Sequence, residues 1–250
     1  MQRIGILGGS FDPVHRGHLG SAKELLAALG LDRLMLVPVA QHAFGKQAAA
    51  SPAQRLAMLE LATADVPGLS VDDIELQRSG PSYSIDTVAH YRDLFGPGAI
   101  LCFIVGSDAL PDLPRWHRWQ DFPALTNFVV MQRAEDNFGN AQAKQAQASR
   151  AQSRGAAPKA QDICEGFEVI ENNFNKPCGQ LLQLQLSRLP FSSTTLRRLL
   201  GNALNRLEGA QHQQHEQHEQ HEQHENAKQY LSDALPPAVL DYINRYGLYQ

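Results

Sequence analysis

The chain has 250 residues, 22 Lys and Arg against 26 Asp and Glu, and a formal net charge of −4. That length suits one large α/β domain, or one domain with appendages. The mild acidic balance excludes a broadly basic nucleic-acid or membrane surface, so any anion recognition must be local.

Residues 4–7 form an apolar run that predicts a short buried strand ending in Gly8 and Gly9. A helix is predicted near 18–29, a second strand over 34–37, and a capping box with proline at the first helical position at Ser51-Pro52-Ala53-Gln54. The helix it starts, to about residue 63, places Leu56, Leu59 and Ala62 at helical spacing. Residues 71–77 read as a strand region, 85–95 as a helix with Ile85, Val88 and Tyr91 inward, and 127–132 as a further strand. Residues 99–105 are almost continuously apolar, as a central parallel strand covered on both faces should be. Such alternation predicts an α/β protein with a doubly wound parallel sheet and helices on both faces.

Two stretches break this pattern, and the chain reads as a single domain, 1–250, interrupted at about 134–162 and 208–226. The first is rich in Ala, Gln, Ser and Lys, and predicts a loop or a solvated helix. In the second, His212, His215, His218, His221 and His224 recur every three residues between Gln and Glu. Imidazoles can bind a transition metal. Yet a period of three walks around a helix without building one fixed face, and the composition fits a solvated insertion. The chain then returns to helical spacing at Val239, Leu240 and Ile243, from Pro237 to a stop at Gly247.

Cys102, Cys164 and Cys178 are odd in number and lack metal-ligand spacing, which fits a reduced, cytoplasmic protein. Glycines and Asp12 come too early for a signal peptide, and no apolar run approaches the length of a membrane span.

The chemistry concentrates at residues 8–18, Gly-Gly-Ser-Phe-Asp-Pro-Val-His-Arg-Gly-His. Gly8 and Gly9 let main-chain N–H groups approach an anion closely. His15 and His18, three apart, share one side of an incoming helical turn whose N-terminus favours negative charge. This loop suits phosphate. Ser10 adds a hydroxyl for a phosphate, and Asp12 reads as a brace for the turn. Late in the chain, Ser192-Ser193-Thr194-Thr195-Leu196-Arg197 sets hydroxyls at a helix N-terminus with a guanidinium one turn in. By itself that segment reads first as a well-capped helix. Gly106 and Asp108 follow the apolar strand, where a carboxylate could accept from a ribose diol or cap the next helix.

Together these motifs resemble the nucleotidyltransferases that carry His-x-Gly-His, and most closely the bacterial nicotinate-nucleotide adenylyltransferases. The likeness covers most of residues 1–133 and about 180–250. It implies a Rossmann-like fold and transfer of the adenylyl group of ATP to nicotinate mononucleotide, with pyrophosphate released. It also implies His15, His18 and Arg197 as the catalytic groups, with Gly8, Gly9, Ser10, Gly106, Asp108, Ser192, Ser193 and Thr194 around ATP. The Pro-Ser-Tyr-Ser segment matches the place where this family meets the nicotinate carboxylate, which assigns Tyr83 and Ser84 to that substrate. Trp116 matches the residue that stacks on the pyridine ring, while Trp119 reads as core. Where the family has a Pro-Pro-His-Lys run, residues 41–46 are Gln-His-Ala-Phe-Gly-Lys, which leaves His42 or Lys46 to reach the site, with Lys46 the substrate-binding candidate.

The chemistry implies Mg²⁺ with ATP, and the sequence shows no dedicated metal site. ATP and nicotinate mononucleotide are the partners implied, without nucleic acid or membrane, and a homo-oligomer stays open. Two readings compete: a relative using phosphopantetheine or nicotinamide mononucleotide as acceptor, or a non-catalytic nucleotide- or metal-binding module.

Overall fold

Alternation along β1 (Arg3–Gly9) decides what covers each face of the sheet. The computed structural model describes residues 1–41, 47–133, 166–187, 190–205 and 217–249. Within them, β1 is followed by α1 (Arg16–Ala28), β2 (Arg33–Pro38), α2 (Pro52–Thr63), β3 (Leu69–Val71), α3 (Ser84–Phe95) and β4 (Ile100–Gly106). Two 3₁₀ segments, Ser107–Arg115 and Trp119–Asp121, lead through α4 (Phe122–Leu125) to β5 (Asn127–Arg133). The remaining described elements are β6 (Glu168–Ile170), β7 (Gln180–Leu186), α5 (Ser193–Asn205), α6 (Gln217–Ala234) and α7 (Pro237–Tyr246).

The described strands form one seven-stranded sheet in the order β3-β2-β1-β4-β5-β7-β6, parallel throughout. From β1 the chain winds outward through β2 to β3, then returns to the other side of β1 with β4. The crevice between the carboxyl ends of β1 and β4 is therefore the topological switch point, where open α/β sheets bind ligands.

Two apolar cores cover the two faces. Ile4 and Ile6, Met35 and Val37, and Leu101, Phe103 and Val105 pack with Ile85, Val88 and Tyr91 of α3 and with Trp119 and Phe122. Leu34 and Leu36, Ile100, Cys102 and Ile104 lie under Leu25 of α1, Met58 and Leu59 of α2, Leu196 of α5, Leu231 of α6 and Val239 of α7. Each fully buried large aliphatic side chain contributes about 2 kcal/mol of transfer free energy. Burial also pushes the Cys102 thiol up to about 12, which leaves it protonated and unreactive at neutral pH.

The doubly wound parallel sheet agrees with the sequence reading, and the strand expected over 71–77 is a correction to it. Strand β3 ends at Val71, because Asp72 turns the chain. Its Oδ1 accepts the Ile74 N–H at 2.9 Å, and the Asp73 carbonyl accepts from Leu76 and Gln77 at 2.7 and 3.1 Å. Local carboxylate-to-backbone bonds outcompete the ladder. On α2, Leu59 and Ala62 are buried as the spacing predicts, and the departure is at Leu56. Arg55 and Met58 are fully buried and Leu56 is only half-buried. Trp119 is core, as expected. Of the histidine-rich tract, residues 217–226 continue directly into the rest of α6. Residues 134–162 and 208–216 lie outside the described residues.

At the amino ends of the strands, Arg92 of α3 acts as a clamp. Its guanidinium donates to the carbonyls of Leu125, Gly96, Ala99 and Pro177 at 2.7–2.9 Å, tying the approaches to β4, β5 and β7 together. A charged donor of this kind contributes about 2 kcal/mol. Arg92→Ala is expected to lower the thermal midpoint by about 4–8 °C, read by calorimetry. Because this end of the sheet faces away from the switch point, turnover per folded molecule should stay near wild type.

Candidate active site

After Gly9 the chain reverses at Phe11, which has φ +46° and a buried ring, and passes through a cis Asp12–Pro13 bond. A Cβ on Gly9 would lie 3.1 Å from the Phe11 ring, so the turn closes on a residue without one. The loop is anchored by the buried Asp12 carboxylate. It accepts the N–H groups of Ala49 and Ala50 at 2.7 and 3.1 Å and the Tyr249 hydroxyl at 2.7 Å. Asp12 thus braces the turn, as its place in the sequence suggests. From below, Arg55 donates to the Ser10 carbonyl at 2.8 Å and the Val39 carbonyl at 2.7 Å, joining the loops after β1 and β2. Burial lowers the Arg55 pKa and the nearby Asp12 opposes the shift, while burial and Asp12 together push the Tyr249 hydroxyl up.

His15 occupies the N-cap of α1, and its N–H donates to Nδ1 of His18 at 3.3 Å. That bond places the proton of a neutral His18 on Nε2, a donor for an incoming oxyanion. The two rings stack with centroids 3.8 Å apart, and Phe11 meets His18 edge-on at 5.3 Å. A Cβ on Gly17 would lie 2.8 Å from Nδ1 of His15, which explains the glycine inside His-x-Gly-His. His15 is buried and His18 half-buried.

The second phosphate motif packs against the first. Ser193 Oγ donates to the Pro13 carbonyl at 3.0 Å, and Arg197 donates to the Asp12 carbonyl with its Nη1 3.7 Å from the Asp12 carboxylate. Ser192 caps α5 by accepting the Thr195 N–H at 3.1 Å. Ser192 and Thr194 stay exposed, and so does Arg198, which reads as a surface residue. Free N–H groups of two helix N-termini, hydroxyls and a guanidinium thus gather around one space.

At the end of β4, Asp108 folds back so that a Cβ on Gly106 would lie 2.3 Å from its Oδ1. The cap position of the 3₁₀ segment is Gly106, so the capping role considered for Asp108 is corrected, and its carboxylate is exposed. Register Leu7↔Ile104 sets this segment beside Gly8 and Gly9.

Tyr83 is the N-cap of α3 and Ser84 its first residue. Ser82 ties that start to the loop after β2, donating its N–H to the Gln41 carbonyl at 3.0 Å and accepting the Ala40 N–H at 3.3 Å. The Tyr83 ring lies on His117 with centroids 4.4 Å apart. Trp116 is half-buried, with rings of Phe103 and Phe122 at 6.1 and 6.0 Å. Tyr83, Ser84 and Trp116 therefore come to one side of the site. Lys46 lies outside the described residues, as does His42.

Arg55, Tyr249 and His117 were not singled out from the sequence. An arginine on the inward face of an amphipathic helix is the one signal that marks Arg55 in advance, since a buried guanidinium must find acceptors. Tyr249 and His117 make contacts set by distant segments and carry no local signal.

Fold and site define an α/β domain with a parallel sheet whose switch point gathers hydroxyls, helix N-termini and a guanidinium. A cytidylyltransferase-like family model matches residues 6–199. A probable nicotinate-nucleotide adenylyltransferase of Chromohalobacter salexigens is 40% identical over 201 residues, covering 79% of this chain and 84% of that protein. One from Methylococcus capsulatus is 34% identical over 247 residues, covering 98% and 99%. The fold is also that of Plasmodium falciparum nicotinic acid mononucleotide adenylyltransferase complexed with NaAD, with TM-score 0.63, 16% identity, and coverage of 100% and 98%. The chain belongs to the cytidylyltransferase-like family and, within it, to the nicotinate-nucleotide adenylyltransferases.

Gly17→Ala should force the His15 ring aside and lower kcat at least tenfold with little change in thermal midpoint. His18→Ala should lower kcat at least a hundredfold, in line with the ~3 kcal/mol typical of one preorganised oxyanion donor, while circular dichroism stays unchanged. Near-full activity in His18→Ala would remove the histidine from the mechanism.

Proposed function

We propose that this chain transfers the adenylyl group of ATP to nicotinate mononucleotide, forming nicotinate adenine dinucleotide and pyrophosphate in NAD biosynthesis. The observation that carries this reading is the contact between the His-x-Gly-His loop and the start of α5, Ser193 on Pro13 and Arg197 on Asp12. One oxygen of the mononucleotide phosphate attacks the α-phosphorus of ATP in line. The new P–O bond forms as the bond to the β-phosphate bridging oxygen breaks, and pyrophosphate departs with that oxygen and its electron pair. Little covalent help is required, so positioning and charge stabilisation supply the rate.

In this reading His18 donates from Nε2 to the phosphate chain. His15 caps α1 and orients His18, and Arg197 offers its remaining N–H groups to the departing pyrophosphate. Gly8, Gly9 and Ser10 admit the triphosphate close to the backbone, with Ser192, Ser193 and Thr194 on the opposite wall. Gly106 and Asp108 lie where the adenosine ribose would sit.

The donors in this space are cationic or N–H and O–H groups. Among the described residues no three His, Cys, Asp or Glu side chains form a metal cage. A Mg²⁺ would be held by the phosphates themselves and, when bound, would neutralise charge shared by the two polyanions.

The start of α3 gives the acceptor preference. A carboxylate at a helix N-terminus gains from the free N–H groups and the dipole, and a carboxamide gains less. Trp116 presents a flat face for the pyridine ring. Among the described residues no helix is long and apolar enough to cross a membrane. A cytoplasmic location suits these substrates.

The test is pyrophosphate release with Mg²⁺-ATP and, in parallel, nicotinate mononucleotide, nicotinamide mononucleotide and phosphopantetheine. Fast turnover with the acid mononucleotide alone is expected. Turnover only with another acceptor would keep the phosphate chemistry and overturn the roles of Tyr83, Ser84 and Trp116.

A further inference from the structure

After α7 the chain comes back to the phosphate loop through a residue that the proposed mechanism does not use. Gly247 ends α7 with φ +58°, and the Leu248 N–H donates to the Ile243 carbonyl at 3.0 Å. Leu248 is buried in the core that also holds Leu196 and Leu200 of α5. Tyr249 follows with φ +66°, a left-handed conformation uncommon for a residue with a Cβ. Such a conformation persists where the surrounding contacts fix it.

Two contacts fix it here. The Tyr249 carbonyl lies so close to α5 that a Cβ on Gly201 would stand 3.2 Å from it. The Tyr249 hydroxyl donates at 2.7 Å to Oδ1 of Asp12, a residue only 4% exposed. Burial and Asp12 both push this hydroxyl up, so it keeps its proton and stays a donor at neutral pH. On its other oxygen, Asp12 accepts the Ala49 N–H at 2.7 Å and lies 3.7 Å from Nη1 of Arg197, which also donates to the Asp12 carbonyl. Asp12 thus joins Tyr249 on one side to Arg197 on the other.

We propose that Tyr249 is a positioning residue for adenylyl transfer: its hydroxyl orients the Asp12 carboxylate, and Asp12 in turn holds the Arg197 guanidinium toward the departing pyrophosphate. The inference rests on the function proposed above, in which Arg197 meets that charge. Without the hydroxyl, Oδ1 keeps the Ala50 N–H, 3.1 Å away. The carboxylate is then free to turn toward Arg197, and a closer ion pair draws the guanidinium off the leaving group. Charge on the pyrophosphate grows as the P–O bond breaks, so the loss falls on the transition state more than on bound ATP.

The test starts from Tyr249→Phe, which removes one oxygen and keeps the ring. Pyrophosphate release is measured with Mg²⁺-ATP and nicotinate mononucleotide, and rates are expressed per folded molecule by circular dichroism. In Tyr249→Phe, kcat should fall about tenfold, as expected for one hydrogen bond to a charged group, while KM for both substrates stays within about twofold. Gly201→Ala reaches the same residue from α5. Its new methyl pushes on the Tyr249 carbonyl, and kcat should again fall severalfold at nearly constant KM.

The route through Arg197 is read by a double-mutant cycle on single-turnover rates. Adding Tyr249→Phe to Arg197→Ala should cost nothing further, because the group that Tyr249 positions is already gone. A residue that only stabilised the fold would lower the thermal midpoint and leave kcat per folded molecule unchanged. Unchanged kcat in both Tyr249→Phe and Gly201→Ala would therefore overturn the proposal. So would a full further loss when Tyr249→Phe is added to Arg197→Ala. Failure of wild type to release pyrophosphate with the acid mononucleotide would instead overturn the function itself.

Discussion

The buried Asp12 carboxylate is the interaction on which the site depends. A carboxylate taken out of water must be met by donors, and here they come from three parts of the chain. Ala49 and Ala50 approach from the entry to α2, Tyr249 from the last residues, and Arg197 from α5. The Asp12 and Pro13 carbonyls meanwhile accept from Arg197 and Ser193. One side chain and its peptide neighbours thereby set the distance between the two phosphate motifs. Losing a partner of a buried charge typically costs several kcal/mol, so this arrangement is held tightly or not at all.

The two ends of the sheet have different tasks. At the amino ends, Arg92 satisfies carbonyls of the segments entering β4, β5 and β7, so that end is closed by hydrogen bonds within the protein. At the carboxyl ends of β1 and β4 stand the N-termini of α1 and α5, whose first N–H groups have no acceptor within the helix. Rigidity at one end lets the other hold its donors in a fixed array. That preorganisation is what phosphoryl chemistry asks of a protein.

Much of this was legible in the sequence, for reasons that particular residues show. The strand at 99–105 could be read because Leu101 to Val105 are buried on both faces and leave no polar position. Gly17 between two histidines could be read because a spacing of three is enforced by stacking within one helical turn. Where the reading failed, a local contest or a distant partner decided. Asp72 ended β3 by bonding its own backbone, although the residues beyond it keep an apolar rhythm. Arg55 took an inward position that hydropathy assigns to Leu56, since its acceptors, Ser10 and Val39, belong to two other loops.

The central claim is that the loop after β1 and the start of α5 hold one triphosphate between them. A crystal structure with a non-hydrolysable ATP analogue tests this most directly. The account predicts phosphate oxygens within hydrogen-bond distance of His18 Nε2 on one side and of Arg197 and the first N–H groups of α5 on the other. A triphosphate seated elsewhere, with His18 and Arg197 untouched, would contradict it.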